Sequence, residues 1–118
     1  MKFRLIALGI DESKPLLYQW EIHDVRTGEL KGRYIGKAVR GSGRPLSQYR
    51  RNVLNLLAGL PYRRNKPDGF RRVHRALADA VIKGDRITLT LLRNVPLGED
   101  INEAERQAIR RFNCTLNG

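Results

Sequence analysis

Tyr34-Ile35-Gly36-Lys37-Ala38-Val39-Arg40-Gly41-Ser42-Gly43-Arg44-Pro45-Leu46-Ser47-Gln48-Tyr49 is the stretch on which the reading of the whole chain turns. It reads as the end of a strand, a short loop with Gly41 and Gly43, and a helix beginning at Pro45, since proline is tolerated in a first helical turn. Two tyrosines, one lysine and two arginines lie within it, and no acid.

Towards the N-terminus, Leu30 to Val39 continues this strand. Before it, Leu16 to His23 alternates Leu16, Tyr18, Trp20 and Ile22 against Leu17, Gln19, Glu21 and His23, the period of a half-buried strand. Asp24 to Glu29 between them is turn chemistry around Gly28, so the two runs form an antiparallel hairpin. Residues 2–9 make a further edge strand, and Asp11 to Pro15 a turn.

Towards the C-terminus, Leu46, Tyr49, Val53, Leu56 or Leu57, and Leu60 repeat at helical spacing until Pro61. Residues 61–69 form a basic loop. Phe70, Val73, Leu77, Ala80 and Val81 mark a second helix ending at Gly84. Ile87, Leu89 and Leu91 alternate as a strand. Asp100 with Glu103 three residues on is a capping pair for a third helix running to about Phe112. The expected fold is a single α+β domain over 1–118, with a small three- or four-stranded antiparallel sheet flanked by three helices.

Seventeen arginines and six lysines face 12 acids, for a net charge of +11. From Lys37 to Arg75 there are eleven bases and one acid, Asp68. A block of one sign repels itself unless a polyanion meets it, and guanidinium forks suit phosphate. Nucleic acid, DNA in the first instance, is the partner this footprint implies, with Arg40, Arg50, Arg51, Arg63, Arg64, Lys66, Arg71, Arg72, His74 and Arg75 as contacts. An acidic protein or an anionic membrane surface are the other polyanions such a block can meet. Cys114 is the lone cysteine, so there is no internal disulfide framework, and zinc-ligand spacing is absent. No stretch is apolar and long enough for a membrane span, and the expected compartment is the cytoplasm.

One carboxylate is out of place. The third helix has the stripe Ile101, Ala104, Ala108, Ile109 and Phe112, and Glu105 falls four residues from both Ile101 and Ile109, on the apolar side. A carboxylate there must be paired, hydrogen-bonded or metal-bound. A stripe-edge glutamate paired with one of the many arginines is the plain structural alternative. Likewise Tyr49 lies in an apolar stripe and is readable as core, and His74 as a structural hydrogen-bonder.

Tyr34-Ile35-Gly36-Lys37-Ala38, with a tyrosine-bearing strand before it and Arg44 eight residues after Gly36, resembles the GIY-YIG nuclease superfamily. Glu105-Arg106-Gln107-Ala108-Ile109-Arg110-Arg111-Phe112-Asn113 is similar to that family's last helix. The resemblance spans residues 16 to 113. It implies a metal-dependent endonuclease that hydrolyses phosphodiester bonds in DNA. Tyr34 would sit near the attacking water, Arg44 would hold the scissile phosphate, and Glu105 would bind one Mg²⁺ or Mn²⁺. Lys37 would support the tyrosine.

Two positions depart from the pattern. The first-motif tyrosine falls on Tyr18 or is replaced by Trp20; a paired hairpin with its turn at Gly28 favours Tyr18. Tyr49 stands five residues after Arg44 rather than four, about 100° further round a helix. A base-reading module has no room in the chain, so specificity would be shape-based or borrowed from a protein partner. The alternative function is a non-catalytic nucleic-acid-binding protein on the same fold. A basic protein-interaction domain is the third, separated by the absence of salt-dependent DNA binding.

Overall fold

The computed structural model describes residues 1–118. Its elements in order are β1 (Arg4–Ile6), β2 (Leu16–His23), β3 (Leu30–Ala38), α1 (Gly43–Leu57), α2 (Arg72–Lys83), β4 (Arg86–Asn94) and α3 (Ile101–Arg111). The fold is α+β, with a four-stranded sheet in the order β1-β4-β2-β3 and three helices. No helix is long and apolar enough to cross a membrane.

The sheet is mixed rather than antiparallel throughout. β2 pairs antiparallel with both β3 and β4, but β1 pairs parallel with β4. The chain reverses between β1 and β2 as a hairpin would, yet β4 inserts between them. β4 carries Ile87, Leu89 and Leu91, all buried, and takes the central place that the three-residue β1 is too short and exposed to fill.

The central position of β2 also corrects its half-buried pattern. Leu16, Tyr18, Trp20 and Ile22 enter the main core with Tyr49 and Val53 of α1 and Val73 and Leu77 of α2. Leu17, on the opposite face, packs with Val95 and Ala104 of α3 in a second small cluster. The sheet is thus covered by α1 and α2 on one side and by α3 on the other.

α1 begins two residues before Pro45 and ends at Leu57, short of Pro61. Leu57 and Leu60 are consequently exposed, and Leu56 supplies the packing. The loop leading into α1 needs Gly41: its φ is +93°, and a Cβ there would lie 2.2 Å from the Glu12 carbonyl oxygen. Ser42 donates its hydroxyl to Glu12 Oε1 at 2.8 Å, so the start of α1 is anchored to the 11–13 turn. At α3, Asp100 accepts from the backbone N–H groups of Asn102 and Glu103 as a cap should. Glu103 does not close the reciprocal half; its carboxylate takes Arg106 instead.

The open edge of β3 is covered by the chain's last residues. Leu116 donates its backbone N–H to the Arg33 carbonyl at 3.0 Å. Asn117 accepts the Ile35 N–H at 3.0 Å and donates its amide to the Ile35 carbonyl at 2.8 Å. One side-chain amide therefore does what a neighbouring strand residue would do.

Candidate active site

Gly36 stands opposite Tyr18 in the β2–β3 ladder, and a Cβ on it would fall 2.5 Å from the Tyr18 hydroxyl oxygen. The missing side chain lets the Tyr18 ring lie across β3. Trp20, opposite Tyr34, is instead fully buried against Phe3 and Tyr49. Of the two first-motif candidates, Tyr18 is the one that reaches the cavity.

That cavity has a volume of about 610 Å³. Its wall brings together Tyr18 of β2, Tyr34 and Lys37 of β3, Arg40 of the following turn, Arg44 and Tyr49 of α1, Arg71 before α2, and Glu105 of α3. All six residues expected to be catalytic therefore share one space. β3 is an edge strand, so helices on opposite faces of the sheet can meet beside it.

Three tyrosine hydroxyls are organised by one guanidinium. Arg71 donates through Nη1 to the Tyr34 oxygen at 3.0 Å and through Nη2 to the Tyr49 oxygen at 2.9 Å. Its Cζ lies 5.6 Å from the centroid of each of those rings. Tyr49 and Tyr18 share a hydroxyl–hydroxyl hydrogen bond of 2.9 Å. Burial pushes the Tyr18 hydroxyl well above the ordinary tyrosine range, and the neighbouring Tyr34 adds to it. Burial does the same to Tyr49, with Tyr18 beside it. Both stay neutral at physiological pH. Tyr34 is half-buried, and its own hydroxyl proton has no protein acceptor, so it is the tyrosine able to engage a molecule in the cavity.

Tyr49 is at once a core side chain and a cavity wall. The extra residue between Arg44 and Tyr49 turns the ring inward, and Gln48 takes the i+4 position, accepting from Arg44 Nε at 3.2 Å. Arg44 itself is exposed at the cavity rim. The start of α1 beside it has no acid in its first turn and no side-chain cap, so its free N–H groups are oriented for an anion.

Glu105 is half-buried and makes no hydrogen bond or ion pair with the protein. It is also the only carboxylate on the cavity wall. Lys37 donates to Asn102 one turn earlier on α3, which ties that helix to β3 rather than placing the ammonium against a tyrosine. No group of three or more His, Cys, Asp or Glu side chains is gathered anywhere. A single carboxylate is a donor set for a hard divalent cation that keeps most of its waters and shares the substrate's phosphate oxygens, as Mg²⁺ does. Glu105 therefore fits the metal expected of it.

One member of the basic set is displaced from the surface. His74 is 1 % exposed, so it cannot meet a nucleic acid. Its Nδ1 accepts the Arg71 backbone N–H at 3.1 Å, and its Nε2 faces the Asn52 amide at 3.4 Å. An accepting Nδ1 places the proton on Nε2, which sets the Asn52 amide with its oxygen towards the ring. Arg71 remains exposed and is also the hub of the cavity. The sequence pattern places it inside the second helix opened by Phe70, and it instead stands just before α2 as its N-cap residue. Arg40, Arg50, Arg51, Arg63, Arg64, Lys66, Arg72 and Arg75 are exposed. Arg50 additionally donates to the Met1 carbonyl, and Arg72 to that of Thr115. Cys114 is half-buried, and burial pushes its thiol up, away from reactivity.

All six ion pairs lie outside residues 37–75. Asp68, the one acid within the basic block, is ion-paired with none of its bases. Comparison with protein-family models, curated proteins and solved structures finds no match for this chain.

Proposed function

We propose that the protein is a metal-dependent endonuclease that hydrolyses phosphodiester bonds in DNA. The observation that carries this reading is the single cavity joining Tyr34, Arg44 and the unpaired Glu105, set in a surface of unneutralised arginines. In this reading Arg44 and the free N–H groups at the start of α1 hold the scissile phosphate. Tyr34, held by Arg71, orients the attacking water. Glu105 holds one Mg²⁺ or Mn²⁺, which would supply Lewis-acid stabilisation of charge on the phosphate and leaving oxygen. Tyr18 and Tyr49, kept neutral by burial, position Arg71 and Tyr34 rather than take a proton.

Incubation of supercoiled plasmid with the protein and Mg²⁺ or Mn²⁺ tests the reading. Wild type should nick, and Glu105→Ala and Arg44→Ala should each nick about a hundredfold more slowly or worse, the usual loss for a transition-state charge partner. DNA binding without nicking under any divalent metal would leave the second reading, a non-catalytic nucleic-acid-binding protein. That reading is favoured by the basic block alone and does not need Glu105. Nicking that survives Glu105→Ala would relocate the site.

A further inference from the structure

Residues 62–67 form a small hairpin that the cavity does not use. Arg63 and Lys66 make a two-way backbone bridge, N–H to carbonyl at 3.3 and 3.2 Å, around a two-residue tip of Arg64 and Asn65. Tyr62 donates its backbone N–H to the Pro67 carbonyl at 3.0 Å, extending the ladder by one rung. The base is pinned by aromatic packing. Tyr62 meets Phe70 edge-on at 5.4 Å and His74 at 5.9 Å. Gly69 allows this, because a Cβ there would lie 2.7 Å from the Tyr62 ring.

Arg63, Arg64 and Lys66 are all exposed, and none is ion-paired. Three unneutralised cations on a braced tip are a costly arrangement for a free surface. One buried ring links the base of the hairpin to the cavity wall. His74, against which Tyr62 packs, lies 5.2 Å from the Tyr49 ring and accepts the Arg71 backbone N–H.

We propose that this hairpin is a second grip on the nucleic acid, contacting phosphates of the same duplex whose scissile bond enters the cavity. The inference deepens the nuclease reading but needs only its binding half. A ribbon this narrow fits a duplex groove, and its three cations meet the flanking phosphates. The substrate is accordingly a duplex long enough to span both points, not a mononucleotide or a short fragment.

The test is fluorescence anisotropy with a labelled 20-base-pair DNA duplex in EDTA over a salt series. The variant Arg63→Ser/Arg64→Ser/Lys66→Ser is compared with Arg26→Ser/Lys83→Ser/Arg86→Ser. The second triple removes the same charge at the far end of the sheet, and thermal melts establish that both variants are folded. The hairpin variant should bind at least about tenfold more weakly, with a salt slope reduced by about two to three. The control should stay within about threefold, with its slope changed by less than about one. Equal effects of the two triples, or no duplex binding by wild type, would overturn the proposal. Plasmid nicking assayed on the same proteins keeps the readings apart: wild type that binds through the hairpin and never cuts loses the nuclease and keeps the grip.

Discussion

Tyr18 occupies the room that Gly36 leaves, and the cavity depends on that exchange. Any side chain at position 36 pushes the Tyr18 ring away, because the added Cβ meets the hydroxyl end of a buried ring that is hydrogen-bonded to Tyr49. Gly36→Ala should therefore cost about 1–3 kcal/mol in a urea melt, as overpacking of a core does. It should also lower nicking by more than it lowers DNA affinity, since the Tyr18–Tyr49–Arg71 chain moves while the exposed arginines do not. The hairpin register was legible beforehand from the turn position, and it sets Tyr18 opposite Gly36 and Trp20 opposite Tyr34. Arg71 was not. Its partners Tyr34 and Tyr49 are 37 and 22 residues away in sequence, and no periodicity encodes a hydrogen bond between separate elements. Glu105 stood out because a carboxylate on an apolar stripe is locally inconsistent, whereas an arginine among arginines is not.

The beginning of α2 is where a helix is made to carry a buried titratable group. His74 caps the Arg71 backbone from inside, and burial with the Arg71 cation nearby lowers it from 6.5 to about 4. The groups facing it are Asn52, Tyr49, Tyr62, Phe70 and Arg71; none is an acid that would favour the charged ring. Between pH 6.5 and about 4 the unfolded chain binds this proton and the folded chain does not, so folding weakens as pH falls. The contribution, up to about 3 kcal/mol, is complete above the unfolded value and lost once pH falls below the folded one. Denaturant midpoints at pH 7 and pH 4.5 should differ for wild type, and His74→Asn should flatten that difference while lowering stability at pH 7. Invariance of the wild-type midpoint would mean that His74 takes up its proton equally in the folded and unfolded chain. At this scale the helices and β2–β4 were readable from periodicity and caps. The length of β1, the end of α1 and the second covered face of β2 were not. The first and last of these follow from which strand lies at the centre of the sheet, a property of the assembled fold rather than of any segment.

Across the whole molecule, charge and chemistry are segregated. Ion pairs hold the β2–β3 turn region and α3, where Lys31 meets Asp85 and Arg106 meets Glu103. The 37–75 block is left unneutralised around the cavity and the hairpin. The α+β class and the basic footprint were plain from composition and pattern. The mixed sheet was not, because the reversal after β1 looks the same whether or not a fourth strand later inserts. Of the two sheet margins, β1 is three residues long and carries Arg4, so it offers little to pair with. The other margin is guarded chiefly by Asn117. Its amide fills the hydrogen bonds of Ile35 that another protein chain would otherwise take. A single side chain thus occupies both backbone groups of Ile35 on this edge. Asn117→Ala should expose a template for strand addition, read as concentration-dependent growth in sedimentation and light scattering with the melting temperature barely changed. An unchanged monomer-to-oligomer balance would show that Leu116 alone suffices.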